Sequence, residues 1–157
     1  MNNIEIERKF LLNNDDYKSF IIKSLPIIQG YISAEKGRSV RVRRKGDKAY
    51  LTIKGAANKN GISRFEWECE ISVEDADELF CLCQYGIINK TRHIVPSGKH
   101  VIEIDEFHGD NAGLVMAEIE LESENEQYEK PAWLGREVTG DFHYYNSYLA
   151  KMPFKMW

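Results

Sequence analysis

The stretch Glu5-Ile6-Glu7-Arg8-Lys9, near the start of the chain, alternates polar and apolar side chains as a β-strand does. Two acids and a lysine share one face of this strand, whereas the other face is apolar and includes Ile4 and Phe10. An ionic face on a single strand is normally a solvated face. The pattern gains meaning only if other strands repeat it.

Further segments show the same alternation or a β-rich composition, and turns rich in glycine, asparagine, lysine or proline separate them. They lie at residues 27–33, 39–45, 48–55, 63–72, 87–95, 99–107 and 114–123. With residues 3–12 they make about eight strands. A closed sheet of that size encloses a space wide enough for side chains or one small ligand.

The ionic faces of these segments carry charges of one sign at successive in-phase positions. The pairs are Arg41 with Arg43, Glu66 with Glu68, Lys90 with Arg92, Glu103 with Asp105, and Glu118 with Glu120. Like charges on one face repel unless an opposite charge lies between them. Carboxylate pairs attract a divalent cation, and clustered guanidinium and ammonium groups attract an oxyanion. Both clusters in one small chain favour a metal–polyphosphate complex as the ligand.

Two architectures are compatible with this alternation. In the first, the apolar faces form the core of a sandwich or open sheet and the ionic faces meet water. In the second, the sheet closes with its ionic faces inward, and amphipathic helices cover the apolar outer faces. Alternation alone favours the first, because half-solvated antiparallel sheets are common. The charge clusters favour the second.

Amphipathic helices are predicted between the strands. One is capped at residues 13–16 and ends at Pro26, one is capped by Ser72 and ends before Gly86, and one runs from about Asp141 to Pro153. The segment from Glu124 to Glu137 is predicted to be an irregular connection.

Length and composition predict a single domain over residues 1–157 with a core of its own. A formal net charge of −4 disfavours a dedicated nucleic-acid binder. There is no apolar run near ~18 residues, so no membrane span is expected. The charged N-terminus and the odd number of cysteines predict a cytoplasmic protein. The histidines and cysteines lack zinc-ligand spacing.

The charged motifs resemble those of the CYTH superfamily, the triphosphate tunnel metalloenzymes, which include inorganic triphosphatases, thiamine triphosphatases and class IV adenylyl cyclases. The opening stretch matches the family's E-x-E-x-K signature, and further motifs follow in family order. They are Gln29-Gly30-Tyr31, Arg41-Val42-Arg43, Leu51-Thr52-Ile53-Lys54, Ser63-Arg64, Glu66-Trp67-Glu68, Lys90-Thr91-Arg92, Glu103-Ile104-Asp105, Glu118-Ile119-Glu120 and Glu137-Val138-Thr139. This series covers almost the whole chain.

The resemblance implies a mainly β fold of the α+β class, a closed eight-stranded antiparallel β-barrel with an ionic lumen and amphipathic helices packed outside. It implies Mg²⁺ or Mn²⁺ as cofactor. The expected metal ligands are Glu5, Glu7, Glu118 and Glu120, with Glu66, Glu68 and Asp105 as further acids around a second ion or its waters. The expected triphosphate cradle is Lys9, Arg41, Arg43, Lys54, Arg64, Lys90 and Arg92. Lys90 and Tyr31 are the expected catalytic pair, which orients or deprotonates the attacking water.

One position departs from the family pattern. Many relatives have an arginine before the tyrosine of a short R-Y-x-N stretch, whereas this chain has His143 in that region. We expect His143 to lie at the surface or behind the site rather than to be catalytic.

The predicted function is metal-dependent hydrolysis of a small-molecule triphosphate, with inorganic tripolyphosphate as the first choice. A class IV adenylyl cyclase or a thiamine or nucleoside triphosphatase on the same fold is the alternative, because a base-binding pocket cannot be recognised in the sequence. A non-catalytic anion-binding module is a third possibility, which the abundant carboxylates disfavour. We expect no nucleic-acid or membrane partner, and a monomer or homodimer.

Overall fold

The computed structural model describes residues 3–157, and its main feature is an antiparallel sheet that closes on itself. The strands are β1 (Ile4–Leu12), β2 (Lys23–Glu35), β3 (Arg38–Lys45), β4 (Lys48–Ala57), β5 (Ser63–Ile71), β6 (Ile88–Ser97), β7 (His100–Phe107), β8 (Val115–Glu120) and β9 (Leu134–Glu137). Their order is β5-β4-β3-β2-β6-β7-β8-β1-β9, and β1 also pairs with β5. That pairing closes β1 to β8 into the predicted barrel.

Strand β1 forms the seam of the barrel because it changes partner along one edge. It pairs with β5 at Ile4–Ile6 and with β9 at Phe10 and Leu12, whereas its other edge pairs with β8 over Glu7–Leu11. Strand β9 was not predicted. The irregular connection expected from Glu124 to Glu137 is therefore wrong over Leu134–Glu137. Its four residues are too few to show alternation, and they include Gly135.

The helices are shorter than predicted. They are α1 (Val73–Phe80), α2 (Asn146–Lys151), and 3-10 helices at Asp16–Phe20, Gly109–Asn111, Phe142–Tyr144 and Phe154–Met156. Ser72 caps α1 as predicted, since its hydroxyl accepts a hydrogen bond from Asp75 N at 3.0 Å. The helix predicted up to Pro26 is wrong beyond Phe20. Residues 23–29 instead pair with β6, and this tertiary pairing overrides the helical spacing.

The apolar faces of the strands point out of the barrel and pack against the helices and loops around it. Around β1, β7 and β8, buried side chains such as Phe10, Ile104 and Ile119 pack with Tyr17 and Trp133 from outside the barrel. On the other side, α1 covers β3 and β4. On β4 and β5 part of the apolar outer face stays exposed. The sheet turns its ionic faces inward, as the resemblance implied and alternation alone disfavoured.

No helix within residues 3–157 is long and apolar enough to cross a membrane.

Candidate active site

The interior of the barrel holds a cavity of about 230 Å³, lined almost entirely by charged and polar side chains. Because neighbouring strands present their ionic faces to the same space, residues far apart in the chain meet there. The predicted site residues that line it are Glu5, Glu7, Lys9, Tyr31, Arg41, Arg43, Lys54, Arg64, Glu66, Glu68, Lys90, Arg92, Glu118 and Glu120. Every residue of the predicted site except Asp105 is therefore brought to one cavity.

Adjacent strands β1 and β8 form an acidic wall, defined by Glu5, Glu7, Glu118 and Glu120. The register places Glu7 directly opposite Glu120. Burial, with the Glu118 and Glu5 carboxylates beside it, raises the pKa of Glu7 to about 8. Burial also raises the pKa of Glu120, and Glu5 adds to the effect. The Glu7 and Glu120 carboxyls therefore both lie beside other acids.

The other two acids of this wall are held by cations. Lys54 Nζ lies 2.8 Å from Glu5 Oε2, and with Arg64 it outweighs burial, so that the pKa of Glu5 falls to about 2. Glu118 contacts Lys9 at 3.4 Å and Arg92 at 3.6 Å. Those cations overcome the effect of burial and hold its pKa well below the usual range.

Arg41 and Arg43 form a basic wall on β3. Strands β5 and β4 lie between β1 and β3 around the barrel, so the basic wall faces the acidic wall across the lumen. Both guanidinium groups contact Glu68 Oε1, at 3.7 and 3.4 Å. Burial, with Arg41 and Arg92 nearby, lowers the pKa of Arg43 to about 10. Their Nε atoms are buried without a hydrogen-bond partner among the described residues, whereas both side chains line the cavity.

Asp105 lies behind the lumen rather than in it, with 1% of its surface exposed. Its oxygens accept hydrogen bonds from Lys90 Nζ at 2.7 Å and from Arg92 Nε and Nη2 at 2.7 and 2.8 Å. These cations outweigh burial and lower the pKa of Asp105. Asp105 does not line the cavity, so its predicted ligand role finds no support in this geometry.

Lys90 is almost fully buried yet reaches the cavity. Burial, assisted by Arg92, outweighs Asp105 and lowers the pKa of Lys90 to about 8. A lysine with such a pKa can exchange a proton near neutral pH. Tyr31, the other predicted catalytic residue, also lines the cavity.

Several lining residues were not predicted as part of the site: Ser39, Lys45, Glu103, Tyr145, Asn146 and Ser147. The two-residue period of the strands identifies two of them. Lys45 follows Arg43 by two positions, and Glu103 precedes Asp105 by two and shares its ionic face. Tyr145, Asn146 and Ser147 lie at the start of α2 and carry no such signal.

His143 does not line the cavity. Its side chain is 47% exposed and its Nδ1 lies 2.7 Å from Asp141 Oδ1, in agreement with the surface position expected for it. The ring stacks on Phe142, with the ring centres 4.1 Å apart.

The acidic wall has the chemistry of a divalent-cation site, although in the described part of the chain no three acidic, histidine or cysteine side chains already converge as metal ligands. Within residues 3–157, neither Glu7 nor Glu120 has a cationic side chain within 4.0 Å of its carboxylate. Several carboxylate oxygens facing one space are the donors that Mg²⁺ and Mn²⁺ prefer. A bound dication would oppose both burial and the neighbouring carboxylates, which together raise the pKa of Glu7.

Comparison with known proteins gives consistent matches over most of the chain. Residues 3–148 match the CYTH domain. An inorganic triphosphatase of Acetivibrio thermocellus is 50% identical over 152 residues, which cover 96% of each protein. An inorganic triphosphatase of Nitrosomonas europaea is 32% identical over 151 residues, covering 93% of this chain and 96% of that protein. A crystal structure of an inorganic triphosphatase is similar with a TM-score of 0.66, at 29% identity over 93% of each chain.

Proposed function

The chain belongs to the CYTH domain family, and from this premise we propose that it is a divalent-metal-dependent triphosphatase that hydrolyses inorganic tripolyphosphate. The observation that carries the proposal is the pair of facing walls in one lumen. A linear triphosphate with its metal ion needs carboxylates on one side and cations on the other. An anion-binding module would gain nothing from the acidic wall.

We assign the metal site to the acidic wall. Glu7 and Glu120 have no cationic side chain within 4.0 Å among residues 3–157 and would bind the ion as carboxylates. Glu5 and Glu118, now paired with cations, would complete the donor set. Mg²⁺ or Mn²⁺ bound there would neutralise phosphoryl oxygens and favour attack at phosphorus. Glu66 and Glu68 are further acids at the edge of the lumen. Glu68 also holds the guanidinium groups of the basic wall.

The substrate cradle is the set of cations that reach the lumen. Arg41 and Arg43 line the lumen opposite the acidic wall, and guanidinium groups suit bidentate contacts with phosphate oxygens. Lys9, Lys54, Arg64, Lys90 and Arg92 complete the set. Their positive charge stabilises the leaving pyrophosphate as negative charge develops on its bridging oxygen.

We propose that Lys90 and Tyr31, which both line the cavity, activate and orient the attacking water. Water attacks a terminal phosphorus, its oxygen forms the new P–O bond, and the phosphoanhydride P–O bond breaks to release orthophosphate and pyrophosphate. Neutral Lys90 accepts the proton that the water loses, and Tyr31 helps to orient the water. The lowered pKa of Lys90 supports this role, because a fraction of the amine is neutral near pH 8.

The size and lining of the cavity favour a compact phosphate substrate over a nucleotide. At about 230 Å³ it is smaller than the roughly 300–1,000 Å³ of typical small-molecule pockets. Its aromatic lining among the described residues consists of Tyr31 and Tyr145. The cyclase and the thiamine or nucleoside triphosphatase therefore remain second choices.

A substrate panel tests the proposal. Purified full-length protein is given tripolyphosphate, ATP or thiamine triphosphate with Mg²⁺ or Mn²⁺, and phosphate and cyclic AMP are measured. We expect metal-dependent phosphate release, fastest with tripolyphosphate, and none in excess EDTA. Cyclic AMP as the main product would replace the triphosphatase with a cyclase. Tight binding without turnover would leave an anion-binding module.

A further inference from the structure

Gln29 lies on β2 behind the lumen, between the two groups assigned to handle water. Its side chain is completely buried. Its Nε2 donates to Asn146 Oδ1 at 2.9 Å and lies 3.5 Å from the Tyr31 hydroxyl. Asn146 Oδ1 accepts a second hydrogen bond, from Lys90 Nζ at 3.0 Å. A single buried amide therefore contacts Tyr31 directly and Lys90 through Asn146.

The orientation of both amides follows from Lys90. An amine that donates needs an acceptor, so Asn146 turns its oxygen and not its NH₂ group toward Nζ. That oxygen in turn requires a donor from Gln29, which presents Nε2. As a result, Gln29 Oε1 is buried with no hydrogen-bond partner anywhere in residues 3–157. An unsatisfied buried acceptor destabilises a fold, and in native proteins it requires an explanation such as a functional role.

Nζ of Lys90 has three positions for hydrogen or a lone pair. Asp105 Oδ2 occupies one direction at 2.7 Å and Asn146 Oδ1 occupies a second. One direction remains beside these two; Lys90 lines the lumen, and the centre of the Phe107 ring lies 5.4 Å from Nζ.

We infer that Gln29 and Asn146 form an amide relay that positions Lys90 Nζ, so that its free direction points at the substrate. Both are positioning residues, and the inference rests on the function proposed above. Gln29 does not line the cavity and cannot touch substrate. Any effect of Gln29 on turnover must therefore pass through its neighbours.

A double-mutant cycle tests the relay by tripolyphosphate hydrolysis with saturating Mg²⁺. Gln29→Leu keeps a similar volume and removes both the donor and the unsatisfied acceptor. We expect kcat to fall roughly 10–100-fold, as for partial loss of general-base catalysis, with KM within about twofold and an unchanged or higher Tm. In a Lys90→Met background the same change should have no further effect, because the group it positions is absent.

Two further variants separate positioning from other roles. Asn146→Asp keeps the acceptor for Lys90 and should retain more kcat than Asn146→Ala when both are compared across pH 7–10. If Asn146 instead donates to substrate, both variants should raise KM equally. Asn111→Leu removes a buried amide whose oxygen accepts from Phe154 N at 2.8 Å, outside the cavity lining. This control should lower Tm and leave kcat unchanged.

The outcomes distinguish failure of the relay from failure of the proposed triphosphatase function. Wild-type protein that does not hydrolyse tripolyphosphate overturns the proposed function and the relay together. If the wild-type protein hydrolyses tripolyphosphate, but Gln29→Leu lowers kcat by the same factor in the wild-type and Lys90→Met backgrounds, the relay alone is overturned. A rise in KM at constant kcat for Gln29→Leu also overturns it. The expected non-additive loss in kcat supports it.

Discussion

Replacing Glu7 with glutamine should stabilise the metal-free protein while abolishing its activity. Glu7 is an acid of the acidic wall that lacks a cationic partner within the described chain, and it faces Glu120 directly across the strand pair. Because burial and its acidic neighbours raise the pKa of Glu7 to about 8, this side chain must take up a proton on folding near neutral pH, and glutamine removes that cost. The same change removes a proposed metal ligand, so turnover should fall by at least ~100-fold.

The pKa of Glu7 sets the size of the effect. The pKa rises from 4.5 to about 8 on folding, through burial and the Glu118 and Glu5 carboxylates. At about 1.4 kcal/mol per pKa unit, this corresponds to about 3 kcal/mol of lost stability at pH 7. Charges in a hydrated lumen interact through an effective dielectric near ~20. We therefore expect Glu7→Gln to recover only ~1–2 kcal/mol, or roughly 2–8 °C in Tm for a chain of this size.

The pH dependence has a definite sign. Because the pKa of this acid is raised in the folded state, its cost is absent below about 4.5, grows as the pH rises to about 8, and is constant above. The Tm difference between Glu7→Gln and wild type should therefore widen between pH 5 and pH 8. Thermal unfolding followed by circular dichroism in EDTA measures it.

Glu118→Gln is the matched control, because it changes a neighbouring acid with the opposite environment. Glu118 contacts Lys9 and Arg92, whose charges lower its pKa. Its stabilising effect is present above its unfolded pKa, so its removal should lower Tm at pH 8 while also abolishing activity. A lower Tm for Glu7→Gln at pH 8, or shifts of the same sign in both variants, would refute the reasoning.

Other predictions concern the buried network and the packing around the barrel. Asp105→Asn leaves Lys90 and the Arg92 guanidinium without their buried carboxylate and should lower the free energy of unfolding in urea by ~3–5 kcal/mol. A loss below ~1 kcal/mol would show that these ion pairs behave as solvent-exposed pairs. Gly30→Ala should cost ~1–3 kcal/mol, since an added Cβ would lie 2.6 Å from Cys83 Sγ; an unchanged midpoint would show that the segment after α1 shifts freely. Ser72→Ala should cost about 1 kcal/mol through the lost cap, and Ser72→Asp should restore it.

Much of the strand framework and most of the candidate site could be predicted from the sequence, because alternation is a local property of an extended chain. Successive side chains of a strand point to opposite faces wherever the strand lies. The shared face of Glu5, Glu7 and Lys9 was therefore determined before any fold was known, as was that of Arg41 and Arg43. The cap at Ser72 was equally local.

The errors occurred where distant parts of the chain compete with local preference. Leu25 has helical spacing with Tyr17 and Phe20, yet backbone pairing with β6 makes residues 23–25 part of a strand. β9 has too few residues to carry a period of its own, and it exists because β1 offers it a free edge.

Only the tertiary structure decided which face points inward, because alternation is the same for a barrel turned inside out. Closure at the β1–β5 seam made the ionic face the interior. It also buried Asp105 behind Lys90 and brought Asn146 within 3.0 Å of Lys90 from 56 residues away. Such contacts depend on how the sheet curves and closes in space, and local sequence periodicity contains no information about that curvature.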